Sequence, residues 1–255
     1  MNVLLLLTII LFMLMVLIGG KKGIRSFFSL FLNFGVIFLT ILFMLDPQSN
    51  TMIVTLIACV MISCINLFYI NEVNGQTITA FLSTIITIMI LLFFIHIVTK
   101  HTMIQGFGEE EIEELSVFSL YIGVDFVKIA ASVIIMSAIG AMMDVAISIS
   151  SSMYEIFHHN PSLSKKELFQ SGLSVGRDIL GTDTNTLFFA FFGGYLGLLI
   201  WFKDLSYSFG EIINSKVFSA EIITIFCSGI GIALVIPIAS WISAYSLMRR
   251  RKKCN

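Results

Sequence analysis

Charged residues and prolines are scarce in this sequence. Of its 255 residues only 12% are Asp, Glu, Lys or Arg, and only 3 are proline, whereas charged residues make up about 25% of an average soluble domain. Apolar residues reach 57%, and the mean hydropathy is +0.98. This balance excludes an ordinary water-soluble domain. The net charge of -1 gives no reason to expect a nucleic acid partner.

The sequence also lacks the motifs of common enzymes and metal sites. Its 4 cysteines do not have the spacing of a zinc site or of a thioredoxin-type pair. It contains no phosphate-binding loop, no Gly-x-Ser-x-Gly elbow and no His-Glu-x-x-His helix. We therefore predict no catalytic residues, no cofactor, no dedicated metal site and no enzymatic activity.

Long apolar runs predict an all-α fold, a polytopic bundle of transmembrane helices with about seven spans. A hydrocarbon core about 30 Å thick is crossed by about 20 helical residues. Runs of that kind lie near residues 2–19, 27–45, 51–70, 78–99, 117–145, 185–202 and 219–247. The first run has neither the basic start nor the cleavage site of a signal peptide, so we predict that it is retained. The whole chain, 1–255, is then one membrane domain surrounded by the lipid bilayer.

Lys and Arg fall mainly on one side of this predicted arrangement. The residues on that side are Lys21, Lys22, Arg25, Lys165, Lys166, Arg177, Arg249, Arg250, Arg251, Lys252 and Lys253. Because positively charged short loops stay in the cytoplasm, this count predicts the N-terminus outside and the C-terminus inside. The acidic patch at 109–114 then lies outside.

A polar stripe occurs at the end of the fifth predicted span. It consists of Asp144, Ser148, Ser151 and Glu155. Spacings of four, three and four residues place these side chains on one helical face, leading towards His158 and His159. A stripe confined to one face indicates contact with a wet cavity or with another polar segment. Carboxylates and imidazoles can bind a cation or relay protons there, although a solvated loop also explains the two histidines.

A second, smaller polar feature lies at the start of the same span. Asp125 and Lys128 are three residues apart, so they share a helical face and can pair. Two interpretations remain open at this point. The pair either extends to the outer membrane interface or lines a cavity.

The sequence between the fifth and sixth predicted spans suggests a site. Ser164 and Glu167 form a capping box that predicts a helix near 164–176, lying along the cytoplasmic interface. Residues 176–186 are too polar to face lipid and too rich in flanking glycine for a rigid helix. We predict either a re-entrant, site-forming segment or a well-capped ordinary loop. Its candidate site residues are Arg177, Asp178, Asp183 and Asn185.

Several of these segments occur in a characteristic order. They are Gly140–Ser152, Asn160-Pro161, Lys166–Phe169, Ser171-Gly172 and Gly176–Leu187. As an ordered series they resemble the YibE/F-like family of bacterial multi-pass membrane proteins. The chain lacks the additional region that longer members have near the N-terminus, so it is similar to the short, YibF-type members. The resemblance implies the bacterial plasma membrane and a longer YibE-type homologue as partner in a hetero-oligomer, but it implies no activity.

Two functional hypotheses follow from the polar residues. The first is the membrane subunit of a transporter or permease that acts with the longer partner, because ionisable groups near the membrane often mark pathways. The alternative is a non-transporting scaffold or assembly subunit that docks a partner through its cytoplasmic loop. A single hydrated cavity shared by the polar residues favours transport, whereas dispersal of these residues favours docking.

Overall fold

The computed structural model describes residues 3–46, 48–102, 104–106 and 125–254. In this part of the chain the regular structure is helical throughout, which confirms the predicted all-α class. The helices are α1 (Val3–Met44), α2 (Thr51–Cys64), α3 (Gly75–Thr102), α4 (Phe126–His159), α5 (Lys165–Gly194), α6 (Leu196–Asp204), α7 (Phe209–Asn214) and α8 (Lys216–Cys254). A π-helical turn, Ile65–Tyr69, follows α2 directly. The predicted acidic patch at 109–114 lies outside the described residues.

Helix α1 reverses direction at Gly20. This residue has φ 54° and ψ -129°, a left-handed conformation that glycine adopts without a steric penalty. The rings of Phe12 and Phe27 lie 4.8 Å apart, whereas fifteen residues of straight helix would separate them by about 22 Å. A side chain at Gly23 would collide with the Met15 carbonyl. The first two predicted apolar runs are therefore two arms that fold back on each other.

Five of the described helices are long and apolar enough to cross a membrane, with α1 counted once. Helices α5 and α6 pass the same test only as a pair, bent by 53°. The chain is a multi-pass membrane protein, while the count of seven spans and the orientation stay predictions. The fifth predicted span, 117–145, begins outside the described residues. Helix α4 continues beyond its predicted end to His159, because its polar side chains occupy one face and leave the other packed.

Helix α5 corrects the prediction for residues 164–186. The capping box is present, with Ser164 N donating to Glu167 Oε2 at 2.7 Å, but the helix does not end near 176. The segment 176–186 is not a loop, since α5 runs unbroken to Gly194, while the re-entrant alternative stays a prediction for the bent pair of α5 and α6. One of the two glycines in this segment, Gly176, serves close packing, because a Cβ there would overlap Ile236 of α8.

The bundle core lies where α8 packs against α4, α5 and α3. Small side chains such as Ala138 and Ala239 are fully buried there and let the helices approach closely. Buried hydroxyls also bridge helices. The Thr55 hydroxyl donates to Ser132 Oγ at 2.7 Å, and the hydroxyls of Ser150 and Ser243 lie 3.1 Å apart. Among the described residues, helix α1 packs mainly against α2 and the π-helical turn, so it lies at the periphery.

Several positively charged segments meet at one end of the bundle. The Arg25 guanidinium lies 2.7 Å from the Glu72 carboxylate. Glu72 comes three residues before the start of α3. The guanidinium of Arg250 lies against Gly75 and over the ring of Tyr154, 5.5 Å from its centroid. We call this the basic end. It brings together segments that the sequence predicts to share one side of the membrane, although which side that is stays a prediction.

Candidate functional site

The predicted polar residues do not converge on one pocket in the described part of the chain. Most of them divide among three places: a face near the middle of α4 and α5, a pocket at the basic end, and a separate groove on α5. The polar residues are therefore dispersed along the helices rather than gathered in one site. The physical reason is that α5 is continuous, so its polar side chains project at successive angles along a helix instead of gathering in one turn.

The first place is the acidic face, which we define as Asp144 and Ser148 of α4 and Asp183 of α5. Asp144 and Ser148 are exposed, and Asp183 is partly buried. Asp178 and Asn185 are exposed on the other side of α5, since they point about 140° and 160° away from Asp183 around the helix. Asp183 of α5 is near enough to Asp144 of α4 for their negative charges to repel. The acidic face therefore spans two neighbouring helices.

Hydroxyl groups on and beside the acidic face are bonded within their own helices. The Ser148 hydroxyl donates to the Asp144 carbonyl oxygen at 2.7 Å, and the Thr186 hydroxyl donates to the Thr182 carbonyl oxygen at 2.8 Å. The carboxylates of the acidic face differ from these hydroxyls in their partners. Among the residues that the structure describes, the two ion pairs are Arg25–Glu72 and Lys128–Asp125. Neither of them involves a carboxylate of the acidic face, so its negative charge is not neutralised within the described chain.

The second place is the basic-end pocket, which has a volume of about 440 Å³. Glu155 and His158, three residues apart on α4, line it together with Tyr154, Gln76 and Arg250. The polar stripe thus reaches the pocket, as its spacing predicts. Ser151 lies partly buried between the pocket and the acidic face along the helix, and His159 is exposed.

The third place is a groove along the first turns of α5, with a volume of about 490 Å³. Lys166 and Arg177 line it beside Phe169 and Leu173. Arg177 does not line the basic-end pocket. The adjacent Asp178 is exposed and points about 100° away from Arg177 around the helix.

The predicted pair of Asp125 and Lys128 is present at the start of α4. The Lys128 ammonium lies 3.3 Å from Asp125 Oδ2, and both side chains are about half exposed. Asp125 is also the N-cap of α4, where Oδ1 accepts hydrogen bonds from the backbone N–H groups of Val127 at 3.1 Å and Lys128 at 3.4 Å. The prediction that the two residues share a face is confirmed, and the pair caps a helix.

Sequence reasoning missed an amide pair in the apolar half of the chain. Asn33 of α1 donates from Nδ2 to Oδ1 of Asn66 at 2.8 Å, and Asn66 lies in the π-helical turn. The Oδ1 atom of Asn33 is buried and has no hydrogen-bond partner among the described residues. The sequence contained one indication of this contact, since each of the two apolar runs includes a single asparagine.

Metal-type residues do not cluster in the described ranges. No group of three His, Cys, Asp or Glu side chains there is arranged to hold a metal ion. His158 faces the basic-end pocket with a single carboxylate, that of Glu155. The polar groups thus offer charge and hydrogen bonds rather than a coordination shell.

Comparison with known proteins agrees with the ordered sequence segments. The model of the family described as YibE/F-like protein matches residues 7–249, nearly the whole chain. This match confirms the resemblance found from the sequence. No curated protein matches the chain, and no solved structure matches it.

Proposed function

Because the chain belongs to the YibE/F-like family and is a multi-pass membrane protein, we propose that it is the membrane subunit of an assembly in which a second, different subunit covers the acidic face. The proposal follows the docking alternative, but it moves the docking surface from the cytoplasmic loop to α4 and α5. It places the assembly in the bacterial plasma membrane, as the family resemblance implies, and gives no residue a catalytic role.

The observation that carries the proposal is the depth of exposed charge. Asp144 lies fifteen residues before the end of α4 at His159, which is about 22 Å along the helix axis. Asp183 lies similarly deep in α5. Ionised side chains at such depth are costly against hydrocarbon and are found facing protein or water. A partner that supplies basic or amide groups removes this cost.

The sign of the charge indicates that the partner is not a second copy of this chain. A two-fold symmetric dimer brings the same surface of both subunits together. Here that symmetry would bring Asp144 and Asp183 close to their own equivalents, and like charges repel strongly in a low dielectric. A different chain avoids this repulsion, in agreement with the longer homologous partner that the family resemblance implies.

The test is the mass of the complex extracted from native membranes in mild detergent and measured by native mass spectrometry. We expect a species heavier than the 28.4 kDa chain by a mass that is not a multiple of it. Asp144→Asn combined with Asp183→Asn should reduce this species by more than half, because the partner loses its charge complement.

Asp204→Asn is the matched control, since it makes the same chemical change at an exposed position outside the acidic face. It should leave the complex intact. Recovery of the wild-type chain only as a monomer or as a homo-oligomer contradicts the proposal.

Transport is the second candidate, and the Asp144–Asp183 pair favours it. Two facing carboxylates at membrane depth are the kind of group that cation pathways use. Such a pathway would run between the subunits, since the side chain of Asp144 is exposed on the surface of the described helices. Cation flux into liposomes that contain the intact complex should then fall with Asp183→Asn while the complex mass stays unchanged. Unchanged flux with an intact complex leaves docking as the function.

A further inference from the structure

An aromatic pair and a lysine meet where α5 begins beside the end of α8. The rings of Trp241 and Tyr245 are stacked with centroids 6.3 Å apart. The Lys165 ammonium lies over both rings, 5.3 Å from the Trp241 centroid and 5.1 Å from the Tyr245 centroid. The two aromatic side chains are 56% and 53% exposed. We call these three residues the Lys165 platform.

The Lys165 platform lies at the level expected for lipid headgroups. The basic run of α8 begins at Arg249, four residues or about 6 Å of helix beyond Tyr245. Lys165 is the first residue of α5, and the preceding loop is tied to α8 because Arg251 donates to the Leu163 carbonyl oxygen at 3.5 Å. Exposed Trp and Tyr side chains concentrate at this boundary between hydrocarbon and water.

The charge of the Lys165 platform lacks an anion. An ammonium group has three N–H donors and no acceptor, and no carboxylate in the described ranges forms an ion pair with Lys165. Contact with the two rings orders a side chain that is otherwise flexible, so less entropy is lost when an anion binds. Arg249 is exposed and follows Tyr245 by four residues, which adds a second cation on the same helical face.

We infer that the Lys165 platform binds the phosphate group of an anionic phospholipid, with Lys165 and Arg249 contacting the phosphate and the two rings contacting the upper acyl chains. A lipid fits better than free phosphate, because half-exposed rings beside the cation need apolar neighbours. Basic groups at a membrane surface attract anionic headgroups in this way. The site involves neither the acidic face nor the partner proposed above.

The test uses the fluorescence of Trp241. The chain has 2 tryptophans, so Trp201→Phe leaves Trp241 as the single reporter. This variant is placed in phosphatidylcholine vesicles that contain a small fraction of either phosphatidylglycerol or phosphatidylcholine with brominated acyl chains, which quench by contact. We expect brominated phosphatidylglycerol to be enriched about fivefold at Trp241, the factor given by one surface cation.

Variants separate a defined site from general surface charge. Lys165→Gln should abolish the preference, Lys165→Arg should retain it, and the adjacent Lys166→Gln should retain it because Lys166 lies in the groove with Arg177. Retention in Lys165→Arg shows that the variants still present the rings. Equal quenching by both lipids overturns the inference, as does equal loss in the Lys165→Gln and Lys166→Gln variants. Abolition of the preference by inorganic phosphate overturns the choice of a lipid ligand.

Discussion

The two halves of this chain accommodate polar groups in the membrane in different ways. In α1 to α3 the polar side chains at depth are mostly Ser and Thr, whose hydroxyls donate to carbonyls of their own helix. Examples are Thr40 to Val36 O and Thr87 to Ser83 O, both at 2.7 Å. In α4 and α5 carboxylates lie far from the helix ends, and the side chain of Asp144 is exposed. The exposed surfaces of the first half are therefore suited to lipid, whereas the second half carries charge that hydrocarbon solvates poorly.

The largest effect on stability is expected from replacing a glycine that lies at a close contact between helices in the polar half. Gly176→Leu should destabilise the protein by more than about 3 kcal/mol, because the added side chain overlaps Ile236 and forces α5 away from α8. The measurement is thermal unfolding in detergent. The control Gly181→Leu makes the same change on the same helix, at a position where nothing lies within 4 Å. Equal loss of stability in both variants would mean that α5 does not pack as described.

Placing a carboxylate in the apolar half, α1 to α3, directly tests the difference between the two halves. Ile86 is 43% exposed near the middle of α3, so Ile86→Asp should cost about 3 kcal/mol of insertion free energy. The measurement is the fraction of chain that integrates into membranes. Ile86→Leu is the control. Normal integration of Ile86→Asp would indicate that exposed charge at this depth is tolerated without a partner.

A smaller effect is expected at the amide pair that joins α1 to the π-helical turn. Asn66→Leu should cost about 1 kcal/mol, since it removes the hydrogen bond from Asn33 and leaves that buried amide unpaired. The double variant with Asn33→Leu should recover most of the loss. The measurement is the unfolding midpoint of the two single variants and of the double variant. If the losses of stability in the single variants add up in the double variant, the two amides do not interact.

The smallest effect concerns α7, which is too short to span a membrane. Hydrogen bonds with Ser208, through its side chain and its backbone, hold the pKa of Glu211 below its ordinary value of 4.5. Because the folded pKa is lowered, this capping box stabilises α7 above the ordinary pKa and is lost as the pH falls through the lowered value. The protection factor of the α7 amides, which is the ratio of the intrinsic to the observed exchange rate at each pH, should therefore be higher at neutral pH and fall in acid. Glu211→Gln should show a weaker dependence on pH.

Local patterns predicted much of the fold. Apolar length predicted the membrane helices, and residue spacing predicted both the Ser164–Glu167 capping box and the Asp125–Lys128 pair. The continuity of α5 was not predictable in this way, because a glycine such as Gly176 either ends a helix or packs it, depending on which distant residue it meets. The Asn33–Asn66 contact and the dispersal of the polar residues likewise depend on how helices far apart in sequence are placed together.

The most direct test of the account is whether lipid or protein contacts the acidic face in the assembled complex. The 4 native cysteines are replaced, a spin label is attached at Ser148→Cys or at Phe38→Cys on the exposed apolar surface of α1, and collisions with membrane-dissolved oxygen are measured in reconstituted complexes. We predict few collisions at position 148 and many at position 38. Equally frequent collisions at both positions would contradict the account, because the acidic face would then lie against lipid.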